Sequence, residues 1–394
     1  MRFTGCALVA ALAAASTATF AQPSSVSVKD SARDTLTAKK SNPSAAALDF
    51  SGTIFANYQY RGEAGPGHAQ NKFDVERVYL TFRLPAGERT SVRVTTDVFQ
   101  QTTSPNDTYY RGWVIRAKFA YLQYNYLDGP NWKANVRVGL LHTVFIDHDE
   151  QFWPRWVAPT PTERAGYFAS SDGGIATTIS LPAKWGELYA TTTNGPGYTS
   201  REVDRFKDYA SRLTLTPFSN AKSKYLRAVA VTGWYYKGAL ASKFVTAAAG
   251  EVGGIGSALD RDRWGVHLGA NDPRYTFGVE YAGREDEGET GLNTILSPRA
   301  VIDSGGHLIA AYALAHPFAV AAARSLQPLS FFGRFDRVTT NTTNGWKYNV
   351  VIAGMMWDLS KRASMSLDYQ EQTSVKGRPA SPTRTYFAHF VARF

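Results

Sequence analysis

The stretch that most narrowly limits the fold of this chain is 383–394. Alternate positions here form one wholly apolar face, made of Tyr386, Ala388, Phe390, Ala392 and Phe394. Side chains of a β-strand point to opposite faces with a period of two, so the stretch predicts a strand with one continuous apolar face. On the edge of a soluble sheet such a strand invites aggregation, whereas closure of the sheet into a barrel removes the edge. This stretch alone leaves two alternatives open, an edge strand of a soluble sheet and a strand of a membrane barrel. The remaining sequence distinguishes between them.

The same alternation runs through the chain from Leu48 onwards. About sixteen segments of roughly ten residues follow it, which is the length that a tilted strand needs to cross a bilayer. They begin near residues 48, 73, 89, 114, 132, 174, 186, 206, 225, 262, 274, 306, 328, 345, 363 and 383. The sequence therefore predicts an all-β fold, a transmembrane antiparallel β-barrel of about sixteen strands that spans residues 48–394.

The connections between these segments alternate between short turns and long loops, as in outer-membrane barrels with short periplasmic turns. The third long connection, Val144 to Gly173, is the longest. Prolines restrict the backbone and aromatic rings bury large areas, so we expect a packed, fixed loop rather than a mobile one. The residues that favour this are Trp153, Pro154, Trp156, Pro159, Pro161, Tyr167 and Phe168.

One predicted strand resists the alternation. Arg116 and Lys118 share parity with Leu122 and Tyr124, so a straight strand would point both cations at lipid. A β-bulge inserts one residue and moves the following side chains to the other face. We therefore expect a bulge in this strand, or a strand that starts outside the membrane.

The N-terminal residues have a different composition. Residues 1–21 have a positive start at Arg2, an apolar run and a small-residue cleavage site at Ala21, which predicts a secretory signal peptide. Cys6, the only cysteine, would leave with it, so no disulfide is expected. Residues 22–47 are rich in Ser, Thr, Lys and Ala and predict a flexible periplasmic leader. The Ala-rich run 308–320 is too short and too interrupted for a membrane helix.

Several short motifs resemble the phosphate-selective porin superfamily, the outer-membrane porins of O and P type. Each motif is short, but they follow the family's order over most of residues 48–394. They are FDVERVYL (73–80), VGLLHTVF (138–145, with Val144 where a proline is common), SDGGI (171–175), NGPG (194–197), RLTLTP (212–217) and FGRFD (332–336).

The resemblance implies a fold and a set of partners. The third extracellular loop would fold into the pore, and three copies would form a homotrimer. The barrel would lie in the bacterial outer membrane among lipid and lipopolysaccharide, and the barrel-assembly machinery would recognise the terminal strand through Phe394. Small anions such as phosphate would be the solutes, with no cofactor and no nucleic-acid partner.

Charges on the predicted lumen side are mainly positive. The formal net charge of the chain is +10, and +9 once Arg2 leaves with the signal, which favours anionic partners. Eleven basic residues have lumen parity against four acids, Asp97, Glu280, Asp336 and Asp368. The basic residues are Arg61, Arg77, Arg83, Arg93, Lys133, Arg137, Arg212, Arg274, Arg284, Arg334 and Lys347.

From this imbalance we predict a set of pore-lining or anion-binding residues. Basic side chains along a pore attract anions and keep their charge at neutral pH. The alternative for each residue is a cross-strand pair with an acid, a common and weak interaction inside barrels. Arg77, Arg83 and Arg93 should form one positive stripe that faces Arg155 and Arg164 of the third loop. The predicted residues are Arg77, Arg83, Arg93, Lys133, Arg137, Arg155, Arg164, Arg212 and Arg334.

The acids of the third loop argue against a phosphate site. Asp147, Asp149, Glu150, Glu163 and Asp172 outnumber its two arginines, and they would have to point to the barrel wall or outward. No spacing fixes a metal site among the residues that could suggest one, so we expect none; these are His142, Asp147, His148, Asp149 and Glu150.

The predicted function is a passive outer-membrane channel for small hydrophilic solutes with a preference for anions. We expect no enzyme, because the chain has neither a phosphate-binding loop nor a Gly-x-Ser-x-Gly elbow. Two alternatives stay open at this point: an enzyme embedded in the same type of barrel, and a structural or adhesive barrel with a plugged lumen.

Overall fold

A computed structural model shows sixteen antiparallel strands that close into one barrel, each paired with its neighbours in sequence and β16 with β1. The predicted all-β barrel is therefore confirmed. The structure describes residues 48–62, 70–100, 112–200, 202, 204–241, 258–272, 274–290, 300–318, 326–376 and 383–394. The predicted signal peptide and leader lie outside these residues.

The strands begin within four residues of the predicted positions, except β12, which begins at 300 rather than 306. The strands are β1 (Asp49–Arg61), β2 (Gln70–Pro85), β3 (Thr90–Gln100), β4 (Trp113–Asp128), β5 (Lys133–His142), β6 (Ser171–Ser180), β7 (Gly186–Thr193), β8 (Asp208–Leu215), β9 (Val229–Ala241), β10 (Ala258–Asp272), β11 (Tyr275–Thr290), β12 (Ala300–Ala315), β13 (Leu329–Asn341), β14 (Trp346–Ser360), β15 (Ala363–Lys376) and β16 (Thr383–Arg393).

In the described part of the chain, helical structure is confined to single turns in the connections. They are α1 (Ile146–Asp149) and α2 (Pro161–Arg164) between β5 and β6, a 3-10 turn at Pro182–Lys184, and α3 (Lys224–Arg227) before β9. No helix within the described ranges is long and apolar enough to span a membrane.

Alternation along each strand separates the two faces of the barrel. Large apolar side chains on the outer face are exposed, for example Phe50, Ile115, Leu268 and Phe390. Inward side chains are buried, and they are mostly polar or small. The terminal strand follows this rule as predicted, with Tyr386 exposed and its neighbour Thr385 buried.

The β5–β6 connection, residues 143–170, packs against the strands. Two buried apolar clusters join it to inward side chains of the strands. In one of them, Trp153 lies edge-on to Tyr312 of β12 and to Phe332 of β13, with ring centroids 5.8 Å and 6.0 Å apart. The predicted packing of this connection is confirmed.

Candidate functional site

A cluster of cations lines a cavity of about 130 Å³ between β1–β4, β16 and the β5–β6 connection. We call this cavity the basic pocket. Two carboxylates, Asp147 and Glu150, also line it. The cations are Arg83, Arg93, Lys118, Arg155 and Arg393.

Strand register brings four of these cations together. Arg83 of β2 lies directly opposite Arg93 of β3, and the alternation turns both side chains inward. Arg393 of β16 lies opposite Thr53 of β1, and β1 in turn pairs with β2. Neighbouring strands are only about 4.8 Å apart, so cations on β16, β2, β3 and β4 share one stretch of wall.

A β-bulge places Lys118 in the same cluster. Thr95 of β3 pairs with Phe119, but the next residue, Thr96, pairs with Ala117, so Lys118 is the extra residue. The bulge expected from the sequence is therefore confirmed. Lys118 is 5% exposed, and its ammonium lies 4.2 Å from the centre of the Tyr79 ring.

Aromatic rings support the cations of this wall. The guanidinium of Arg93 lies 4.8 Å from the ring centre of Phe119, and that of Arg116 lies 3.9 Å from Phe99. A ring face attracts a cation through its quadrupole without neutralising its charge. These contacts hold the two cations in place.

The connection contributes both signs of charge to the basic pocket. Arg155 donates to Glu150, with Nη1 2.9 Å from Oε1, and to both carboxylate oxygens of Glu163. Asp147 lies 3.4 Å from His142. The expectation that all acids of this loop point to the wall or outward is therefore wrong for Glu150, whereas Asp147 lies against a residue of the wall. Glu150 and Glu163 remain near Arg155 because its buried guanidinium needs counter-charges.

On the far side of the barrel, arginines are bound to acids and to the connection. Arg263 of β10 forms a double hydrogen bond with Asp286, at 3.0 and 2.9 Å, and also donates to the carbonyl of Tyr167. Arg334 of β13 donates to both oxygens of Asp336 and to the carbonyl of Pro159. These arginines fix the connection rather than present free charge.

A buried acid anchors the start of the connection. Asp149 of α1 is completely buried and accepts a hydrogen bond from the hydroxyl of Tyr312 on β12. Burial raises the pKa of Asp149 from 3.8 to about 7, although Tyr312 and the nearby Arg334 act in the opposite direction. The pKa of the neighbouring His148 is held well below its usual range by burial, so that ring is neutral.

The structure brings together only three of the nine predicted site residues: Arg83, Arg93 and Arg155. Arg77 does not line the basic pocket, since its Nη1 lies 2.6 Å from Oδ2 of Asp97, which also binds Arg116. The predicted positive stripe therefore loses Arg77, because Asp97 neutralises it. The sequence placed Asp97 on the lumen side but did not predict its partner.

The other five predicted residues lie elsewhere. Arg212 and Arg334 hold the connection through the carbonyls of Val144 and Pro159, while Arg137 donates to Gln123 at 2.9 Å. Lys133 is at the β4–β5 turn, 3.6 Å from Asp128 and well exposed. Arg164 on α2 does not line the basic pocket; burial and the nearby Arg334 lower its pKa.

Sequence reasoning missed Lys118 and Arg393 as members of the site. A strict period of two assigns Lys118 to the lipid face, and only the bulge reverses this. Arg393 has the inward parity of His389, so the alternation of the terminal strand could have found it.

A second cavity of about 310 Å³ lies between the end of the connection and β8–β10. It has two acids, Asp172 and Asp208, and two arginines, Arg261 and Arg263. Asp208 accepts from Arg261 at 3.1 Å, and both oxygens of Asp172 accept from backbone amides. Its charges are therefore balanced, in contrast to the basic pocket.

Comparison of the structure with solved proteins finds outer-membrane porins. The anion-selective porin from Comamonas acidovorans has a TM-score of 0.58 at 10% identity, over 89% of this chain and 100% of that one. OmpF of Salmonella typhi, solved with daunomycin, has a TM-score of 0.55 at 11% identity over 89% and 98%. The trimer form of in-vitro folded OmpT of Vibrio cholerae has a TM-score of 0.54 at 11% identity over 89% and 100%.

At these identities the likeness establishes the fold alone, a sixteen-stranded barrel of the outer-membrane porin type. No family model matches the sequence. No curated protein matches it either. The resemblance to the phosphate-selective superfamily therefore stays a prediction.

Proposed function

We infer that this protein is a passive outer-membrane channel for small hydrophilic solutes, and that it prefers anions. The observation that carries the inference is the basic pocket, in which five cations stand against two carboxylates. Charges in water are screened beyond about 8–10 Å at physiological salt, so only a close cluster can act on a passing ion. The cations on β16, β2, β3 and β4, in the wall that β16 and β1–β4 form, provide such a cluster.

In this proposal the β5–β6 connection lies inside the pore and narrows it. Its hydrogen bonds to strands far from its own ends support this arrangement. Gln370 of β15 donates to the carbonyl of Val157 at 3.1 Å, and Asn271 of β10 donates to that of Gln151 at 2.6 Å. The free cross-section would then lie on the opposite side of the connection, next to the basic pocket.

The proposed location is the outer membrane, where the exposed outer face would contact lipid and lipopolysaccharide. Exposed apolar side chains such as Phe73 and Val266 favour a hydrocarbon surround over water. The assembly machinery would read the terminal strand through Phe394, whose backbone forms a pair of hydrogen bonds with Gly52 of β1. A homotrimer is proposed by analogy with the trimer form of the Vibrio cholerae protein.

Reversal potential in a KCl gradient across a planar bilayer tests the proposed ion preference. We expect chloride preference in the wild type and a shift towards potassium when Arg83, Arg93 and Lys118 are all replaced by Gln. Lys133→Gln is the matched control, because Lys133 is exposed and does not line the basic pocket. A cation-selective wild type would overturn the proposal, and so would hydrolytic activity in a barrel that shows no conductance steps.

The preferred anion can be resolved in the same bilayer. Replacing chloride by phosphate on one side gives the relative permeability of the two anions. A preference for phosphate would favour a phosphate-selective porin, the class that the sequence motifs resemble. Equal permeability would favour a general anion channel.

A further inference from the structure

The basic pocket is lined by rings as well as by cations. Phe55, Tyr79, Phe119 and Trp156 lie around it, together with Ile146. A small inorganic anion needs hydrogen-bond donors on every side to replace its water, and the ring faces and the Ile146 side chain offer it none. An anion with an apolar body would instead gain by covering them.

Lys118 is the unpaired charge in this pocket. Within the described ranges its ammonium forms no ion pair or hydrogen bond, and it lies over the rings of Tyr79 and Phe119. Neighbouring Arg116, in contrast, is bound to Asp97, with Nη2 2.8 Å from Oδ2. A cation that is almost completely desolvated and has no acid partner favours the arrival of an anion.

The hydroxyl of Tyr79 is a second unused polar group at the same place. It is buried and has no hydrogen-bond partner among the described residues. Its ring is the one on which the Lys118 ammonium lies. A carboxylate that reached Lys118 could therefore accept a hydrogen bond from Tyr79 after a small rotation of the ring.

The volume of the pocket limits the size of the apolar part of the anion. An apolar cavity of about 150 Å³ in another protein holds one benzene molecule. The basic pocket, at about 130 Å³ and open to the channel, fits a single six-membered ring.

We propose that the basic pocket is a binding site for small aromatic carboxylates, in which Lys118 binds the carboxylate and the surrounding rings hold the aromatic body. The proposal rests on the channel function and deepens it by naming a class of solute. The two acids of the pocket do not compete for Lys118, since Glu150 is bound to Arg155 and Asp147 lies beside His142.

Block of single-channel chloride current tests this proposal, with benzoate as the probe. Acetate, which lacks the ring, and benzyl alcohol, which lacks the charge, are the matched compounds. We expect benzoate to halve the wild-type current at a concentration at least tenfold below that of either. Lys118→Met, which keeps the apolar stem, should raise the half-blocking concentration of benzoate at least tenfold. Lys133→Met should leave it unchanged.

Two further variants keep the test decisive if Lys118→Met forms no channels. Lys118→Arg should retain most of the benzoate block, because it keeps the charge on the same bulge. Phe55→Leu should weaken the block by benzoate and leave that by acetate unchanged, since it removes a ring and no charge. Loss of block in Lys118→Arg with normal block in Phe55→Leu would contradict the proposed roles.

The outcomes separate this proposal from the channel function. An anion-selective wild type in which acetate blocks as well as benzoate would overturn the aromatic site and leave the channel function intact. A wild type that selects cations would overturn both.

Discussion

On β10 and β13 each inward arginine named above is held by a carboxylate, as in Arg263 with Asp286 and Arg334 with Asp336. On β3 and β4 the cations Arg93 and Lys118 lie over aromatic rings. We call β8–β13 the paired wall and β1–β4 with β16 the ring-backed wall. An acid cancels the field of an arginine, whereas a ring holds a cation and leaves its charge in place.

This difference shows that the number of positive and negative side chains in the lumen does not by itself predict which cations can act on an ion. On the paired wall an arginine also donates to a carbonyl of the connection, so its role is mechanical. On the ring-backed wall, Arg77 and Arg116 are bound to Asp97, whereas in the proposed function Lys118 would act on a passing ion. The first three predictions below test this division, from the largest expected effect to the smallest.

Arg334→Met should have the largest effect on stability. Arg334 is 3% exposed, and its loss leaves the buried Asp336 without its partner and the Pro159 carbonyl without its donor. Breaking a buried pair in this way costs about 3–5 kcal/mol. The free energy of unfolding in denaturant, measured in detergent, checks this. Arg337→Met, on the exposed face of the same strand, is the control; equal losses in both variants would contradict the mechanical role of the paired wall.

Arg212→Gln and Arg93→Gln should separate stability from selectivity. Arg212 donates to Glu187 at 2.5 Å and to the carbonyl of Val144, and hydrogen bonds of this kind contribute about 1.5–3 kcal/mol. We expect that loss of stability in Arg212→Gln with little change in reversal potential. Arg93→Gln should shift the reversal potential towards cations with a smaller loss of stability. The division of the walls fails if the two variants behave alike.

Asp97→Asn should strengthen the preference for anions. Asp97 is completely buried and is shared by Arg77 and Arg116 on the ring-backed wall. Its neutralisation would leave two positive charges uncancelled close to the basic pocket. Reversal potential should therefore move further towards chloride. Asp128→Asn, at the exposed β4–β5 turn, is the control and should have no effect; a shift of the Asp97 variant towards potassium would refute the expectation.

The last prediction concerns pH and Asp149. Burial raises the pKa of this acid from 3.8 to about 7 in the folded protein. An acid with a raised pKa binds its proton more tightly when folded, so its contribution to stability is complete below about pH 4 and is lost as the pH rises to 7. The free energy of unfolding should fall over this range in the wild type. Asp149→Asn should flatten the profile, and an unchanged slope would exclude Asp149 as the titrating group.

Much of the barrel could be predicted because each strand carries its own signal. The alternation around Phe50 or Tyr386 is local, so strand positions needed no knowledge of the neighbours. The bulge at Lys118 was also visible, as a conflict between parity and charge. Even the partnership of Arg334 with Asp336 is local, since a period of two puts both on one face.

The division of the two walls could not be predicted in this way. Asp97 meets Arg77 and Arg116 only through the register of three strands, and the bulge sets that register. Asp286 became the partner of Arg263 because β11 extends further than the predicted segment. Contacts of the connection with β10–β15 depend on how a long loop packs, for which the sequence has no periodic signal.

The contact between Gly52 and Phe394 has a consequence for the speed of folding. Backbone hydrogen bonds join these residues, and the Phe394 ring occupies the space above Gly52 that any larger side chain would fill. All other strand pairs are hairpins between sequence neighbours, whereas this seam joins the two ends of the barrel. Folding slows as contacts become less local. Until the seam forms, β1 and β16 each present an unpaired edge to other chains, so its rate of formation sets the time available for wrong pairing.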